Sequence, residues 1–129
     1  MSYRIFIVED HPVMREAYAS VLELEAGLDL CDAVASAEEA LTSLADGRCD
    51  LVVTDYSLPG MNGVELVRRL RTLRPGLPSI VISGHEEEAF AREARAAGAA
   101  TFLKKRDLIE TLVPTILAIL DAGPVREAA

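Results

Sequence analysis

The chain has 129 residues, half of them hydrophobic and 26% charged, an ordinary balance for a single globular domain, since domains run to ~150 residues. Its 13 Lys and Arg against 21 Asp and Glu leave a net charge of −8, which argues against gripping nucleic acid or an anionic membrane unaided. The uncharged run Thr111 to Leu120 has ten residues where a membrane span needs about 20, and the short apolar run at the start, stopped by Glu9 and Asp10, is no signal peptide.

Ile5 to Val8 is a β-branched apolar run and predicts a buried strand. Pro12 to Glu25 predicts a helix with Val13, Ala17, Val21 and Leu24 as its apolar face, and Pro12 stands early, where a missing N–H costs nothing. Leu28 to Val34 predicts a second strand. It carries Cys31, one of two cysteines with Cys49, which lack CxxC spacing and fit free thiols in a reducing cytoplasm. Ser36 with Glu39 forms a capping box for a helix to about Asp46. Leu51 to Thr54 is the third strand; Pro59-Gly60 and Asn62-Gly63 are turns, and Asn62 with Glu65 opens a helix to about Arg74.

Ile80 to Ile82 predicts the fourth strand, Glu86 to Gly98 an Ala-rich helix, and Thr101 to Leu103 the fifth strand. Asp107 with Glu110 caps a last helix ending near Gly123. Pro114 lies within it and either kinks it or delays its regular part. Its apolar residues, Leu108 to Leu120, span about 180° of arc, wider than a core stripe of ~100°, which predicts deep burial or a partner surface. The whole predicts an α/β fold: a five-stranded parallel sheet, doubly wound as (βα)5, over 1–122, with 123–129 as a tail or linker stub.

Ligands of such sheets bind beyond the carboxyl ends of the strands. Glu9, Asp10 and His11 follow the first strand, Asp55 the third, Ser83 and Gly84 the fourth, Lys104 and Lys105 the fifth. A Gly-rich phosphate loop is absent from the first turn; acids there attract a cation instead. Three carboxylates about 5 Å apart repel each other by about 3 kcal/mol per pair at an effective dielectric near 20. A lysine and a hard divalent cation would compensate, and Mg²⁺ is held by one or two carboxylates, water and phosphate oxygens. His11 fits a helix N-cap better than a ligand, since Mg²⁺ avoids imidazole.

The acidic pair Glu9-Asp10, the segment Val53 to Gly63, the strand Ile80 to Gly84 and the stretch Ala97 to Lys105 together resemble the receiver domain of two-component response regulators. Glu9-Asp10-His11-Pro12 is most similar to receivers of the LuxR/NarL type, which precede a helix-turn-helix. The resemblance implies the flavodoxin-like strand order 2-1-3-4-5. It implies Asp55 as phosphoacceptor, with Mg²⁺ held by Asp10, Asp55, the Ser57 carbonyl and, through water, Glu9. It implies Ser83 as switch hydroxyl, Phe102 as switch aromatic and Lys105, rather than Lys104, as the phosphoryl-binding lysine. Ser57 and His85 take the positions that modulate hydrolysis. The expected donor is a sensor histidine kinase or phosphotransfer protein, and the expected output is a switched face of the fourth helix, fifth strand and fifth helix, through which a homodimer could form. No membrane and no direct nucleic-acid contact is expected of this chain. It is expected either to stand alone or to have lost a helix-turn-helix output domain.

Many receivers carry proline after that lysine; here Arg106 stands there, so the usual cis bond is not expected. Two other classes compete. A haloacid-dehalogenase-like phosphatase also forms an aspartyl phosphate but wants a second Asp where Ser57 stands, and a flavodoxin relative wants a phosphate loop where the acids stand.

Overall fold

The computed structural model describes residues 2–45, 47–84 and 88–122. Strands β1 (Tyr3–Val8), β2 (Leu28–Val34), β3 (Leu51–Asp55), β4 (Ser79–Ser83) and β5 (Thr101–Lys104) alternate with helices α1 (Pro12–Glu23), α2 (Ala37–Leu44), α3 (Gly63–Leu73), α4 (Glu88–Ala97) and α5 (Leu108–Ala122). The sheet is parallel throughout, in the order β2-β1-β3-β4-β5. This is the doubly wound flavodoxin-like topology, with its switch point between β1 and β3.

Period-two alternation divides β1 between two cores. Ile5 and Ile7 face a layer closed by Tyr18 and Leu22 of α1 and by Leu108, Leu112 and Ile116 of α5. Phe6 and Val8 face the other layer, with Ala37, Ala40 and Leu44 of α2 and Leu66 and Leu70 of α3. A third cluster joins Val64 and Val67 of α3 to Val81 of β4 and to Ala94 and Ala97 of α4. β3 and β4 are buried along their whole length, as central strands covered on both faces must be. Cys31 is the extra residue where the β1–β2 register shifts, since Ile5 pairs with Leu30 and Phe6 with Asp32. Both cysteines are free.

Two of the three expected polar caps form: Ser36 Oγ accepts from the Glu39 N–H at 3.1 Å, and Asn62 Oδ1 from the Glu65 N–H at 2.9 Å; Asp107, the third, is instead the last residue of a 3-10 turn that runs directly into α5. One helix ends on glycine. Gly98, at φ 116°, stops α4, and the Ala99 N–H closes back on the Ala94 carbonyl at 3.0 Å.

Two expectations are corrected. The core face of α1 is not Val13-Ala17-Val21-Leu24: Val13 and Leu24 are 76% and 88% exposed, while Tyr18 and Leu22 are buried. Met14, Tyr18 and Leu22 form the inward stripe, one position on, because an aromatic ring with a polar tip outweighs Val13 and Ala17 in buried area. The last helix does not wait for Pro114. It begins at Leu108, after a 3-10 turn at Lys105–Asp107, and continues through the proline. Pro114 itself is exposed; nothing in the structure gives it a role. Only Leu108, Leu112 and Ile116 of α5 are fully buried. Val113, Leu117, Ile119 and Leu120 are half-covered against the same core, and Ile109 is 68% exposed.

Candidate functional site

The carboxyl ends of β1, β3 and β5 bring one cation among acids. β1 stops at Val8, and the Glu9 N–H donates to the Val34 carbonyl of β2 at 2.9 Å, which turns the Glu9 side chain into the protein. Glu9 is fully buried and Asp55, the last residue of β3, is nearly so. Lys105 follows β5 at the first residue of the 3-10 turn. Its Nζ lies 3.4 Å from Asp55 Oδ2 and 3.6 Å from Glu9 Oε1. Lys104, by contrast, ends the strand opposite Ser83, so the tight turn after β5 selects the second lysine of the pair for the acids.

Four residues hold the side chain and carbonyl of Glu9. Its Oε2 accepts from the His11 N–H at 3.2 Å and lies 3.2 Å from His11 Nδ1. Its Oε1 accepts from the Tyr18 hydroxyl at 3.3 Å and faces Lys105. The Arg15 guanidinium donates to its backbone carbonyl at 2.8 Å. His11 does occupy the N-cap position of α1, yet its ring caps no helix N–H. It turns instead toward the two carboxylates, 3.5 Å from Asp10 Oδ1. That last contact is no hydrogen bond, and Asp10 Oδ1 is a buried oxygen without a hydrogen-bond partner. An orphaned carboxylate oxygen is costly. Glu9, Asp10 and His11 present ligand atoms all within 4.8 Å of one another, so a cation would satisfy the vacancy in hydrogen bonding and the charge together. The two carboxylates fit a hard divalent ion, while the imidazole does not.

The Asp55 carboxyl is pushed up to about 6, chiefly by burial, with Glu9 and, less, Asp10 also raising it and Lys105 opposing them. A metal-free site therefore holds this acid half-protonated in mildly acidic solution, and a cation would free it as a carboxylate.

The remaining expected residues lie around this notch. Ser83 is buried at the end of β4. Phe102 is half-buried against the cluster that contains Val64, Val67, Val81 and Ala94, on which Tyr56 also packs. Ser57 is exposed on the loop after β3. His85 lies outside the described residues. The peptide bonds of the described residues, Lys105–Arg106 included, are all trans.

Three participants escaped the sequence reading. Tyr18 carries its hydroxyl to Glu9 from the core face of α1. Gly63, marked only as a turn residue, is pressed onto the Asp55 carbonyl. Tyr56, next to the acid, donates to Glu93 Oε1 of α4 at 2.8 Å and meets the Phe90 ring edge to face at 4.9 Å. Of these, Tyr18 had a signal: a hydroxyl-bearing aromatic midway between Met14 and Leu22 at helical spacing.

The model of the response regulator receiver domain matches residues 5–116. The transcriptional regulatory protein FixJ of Rhizobium meliloti is 39% identical over 103 residues, covering 80% of this chain and 50% of the relative. UhpA of Salmonella typhimurium is 31% identical over 119 residues, covering 92% and 59%. The chain thus spans about half the length of these relatives. Among solved structures, a LuxR-family two-component response regulator from Aurantimonas sp. superposes with a TM-score of 0.90 at 34% identity, covering 95% of this chain and 87% of that one. The signal receiver domain of the response regulator NarL from Mycobacterium tuberculosis gives 0.82 at 26% identity, covering 92% and 95%. Among the described residues no helix is long and apolar enough to cross a membrane. The acids, the lysine between them and the strand order are thus accounted for together: the chain belongs to the receiver domains of two-component response regulators, phosphoacceptor signalling modules, and stands close to those of the LuxR/NarL type.

Proposed function

We propose that Asp55 is the phosphoacceptor and that Mg²⁺ is held by Asp10, Asp55 and the Ser57 carbonyl, with Glu9 behind them. The observation that carries this reading is the pairing of buried Asp55 with Lys105 beside the unpartnered Asp10 oxygen. Bound Mg²⁺ would supply charge neutralisation for a transferred phosphoryl group. Asp55 is a carboxylate nucleophile. Its Oδ attacks the phosphorus of a phosphohistidine on a sensor kinase or phosphotransfer protein; the P–N bond breaks and histidine leaves. Lys105 moves from the carboxylate to an oxygen of the arriving group, and water later hydrolyses the acyl phosphate.

The product adds about 1.5–2 negative charges. Ser83 donates its hydroxyl to it and Phe102 turns inward, so the α4-β5-α5 face shifts between two packings. That face is the surface for a homodimer or an output domain, a helix-turn-helix being the expected one from the LuxR/NarL likeness. The receiver domain is proposed to span 1–122, with 123–129, outside the described residues, as tail or linker, and its place of action is the cytoplasm. Ser57 and His85 are proposed to tune the lifetime of the phosphate.

The test is mass spectrometry after incubation with acetyl phosphate and Mg²⁺. One added phosphoryl group on the wild type and none on Asp55→Asn is expected. An unchanged wild-type mass, or stoichiometric labelling of Asp55→Asn, overturns the assignment.

A further inference from the structure

We infer that Tyr18 is a positioning residue of the metal site: its hydroxyl holds Glu9 turned toward Lys105, so that the ammonium bridges Glu9 and Asp55 and Asp10 is left to take the cation. The inference rests on the magnesium reading above and deepens it.

Tyr18 is a large side chain buried to within 1%, on the stripe of α1 that packs under β1. Its ring does the packing that any large apolar residue could do there. The hydroxyl does not: it reaches Glu9 Oε1 at 3.3 Å. Glu9 is a buried carboxylate, and such a group needs donors on both oxygens to be held in one orientation. The His11 N–H supplies one at Oε2, 3.2 Å away. At Oε1 the supply is shared between Tyr18 and Lys105, whose Nζ is 3.6 Å away and must also serve Asp55 at 3.4 Å.

Without the phenol, Lys105 is the remaining donor on that side. It would be drawn to Glu9 and away from Asp55, and the carboxylate would gain room to swing. Groups that orient metal-site carboxylates from behind are worth 10–100-fold in metal affinity. Tyr18 is built into the hydrophobic layer, which is why it can hold a position that a surface donor could not.

Tyr18→Phe keeps the ring and removes only the donor. Titration of the wild type and the variant with Mg²⁺ by calorimetry should show about tenfold weaker binding in the variant. The Mg²⁺ concentration at half-maximal labelling by acetyl phosphate should rise in step, with a smaller change in the rate at saturating metal. In a Glu9→Gln background the same change should have little further effect, because the partner it positions has gone. Tyr18→Leu, which also lacks the donor, should show the same affinity loss if the phenylalanine protein folds poorly. Wild-type Mg²⁺ affinity in Tyr18→Phe with only a lowered melting temperature, or a full additional loss in the Glu9→Gln background, overturns the role of Tyr18 alone. Absence of any Mg²⁺ binding by the wild type overturns the magnesium reading itself, and the inference with it.

Discussion

The α-carbon of Gly63 is packed against the carbonyl oxygen of Asp55, so closely that a β-carbon there would overlap it. The contact joins the start of α3 to the last residue of β3, and the Gly63 N–H donates to the Tyr56 carbonyl at 2.9 Å. Gly63→Ala must therefore push the end of β3 or the head of α3 aside. Overpacking of this kind costs about 1–3 kcal/mol. The variant should unfold at lower urea and take up phosphate more slowly, since the Asp55 backbone moves with its side chain. Gly76→Ala is the control, because nothing lies within 4 Å of a β-carbon there. Equal uptake rates and midpoints for Gly63→Ala and the wild type would show that the contact relaxes without moving the acid.

The raised pKa of Asp55 has a measurable sign. Its carboxyl titrates near 3.9 in the unfolded chain and at about 6 in the folded one, chiefly through burial. Between these values the folded state binds more protons, so Asp55 makes metal-free stability fall as pH rises from about 4 to about 6, and adds nothing further above that. Below about 4 the group is protonated in both states and contributes nothing. Asp55→Asn removes the effect. Denaturation of both proteins in chelator should coincide near pH 4 and diverge to a few kcal/mol in favour of the asparagine protein by pH 7, on the order of two titration units at 1.36 kcal/mol each. Curves that stay parallel across that window would contradict the burial argument.

Lys105 neutralises two buried carboxylates, with 27% of its own side chain exposed. Lys105→Gln leaves both without their cation and should cost about 1–3 kcal/mol at neutral pH without metal. The more negative notch should then gain more stability from added Mg²⁺ than the wild type does, while phosphate uptake falls. Lys104→Gln should change neither. Thermal melts of the three proteins with and without Mg²⁺ make the comparison; an equal shift for all three would remove Lys105 from the site.

The parallel α/β alternation and the acids at the strand ends were legible because β1, β3 and β4 appear as unbroken apolar runs and the residues after them carry charge, whereas the sheet order rested on the resemblance. The α1 stripe was misjudged by one position for a physical reason. Hydropathy alone weights Val13 and Leu24 above Tyr18, while the structure buries the tyrosine, whose hydroxyl finds a partner in Glu9. Gly63 was marked as a turn residue; its packing on Asp55 is a contact across a loop that no spacing encodes. Choosing Lys105 over Lys104 rested on the resemblance, since strand alternation fixes which of two neighbours faces the sheet ends only if the strand does not stop between them, and β5 stops at Lys104.

Tyr56 ties the residue after Asp55 to α4. Its hydroxyl donates to Glu93 at 2.8 Å, and its ring stands at 84° to Phe90. The inner face of α4 is otherwise built from Ala91, Ala94 and Ala97, which bury little area each. Aromatic pairs add about 0.5–1.5 kcal/mol beyond area burial, and a neutral donor to a carboxylate about 1.5–3, less here because Glu93 is only partly covered. Tyr56→Phe should keep the ring contact and loosen α4 slightly; Tyr56→Ala should lose both and loosen it further. Amide hydrogen exchange resolves the two, since the added exchange should be confined to α4, while α1 and α5, which pack on the other face of the sheet, stay protected. Unchanged α4 protection in Tyr56→Ala would mean that its alanine face alone holds the helix, and that the Tyr56 clasp does not couple Asp55 to it.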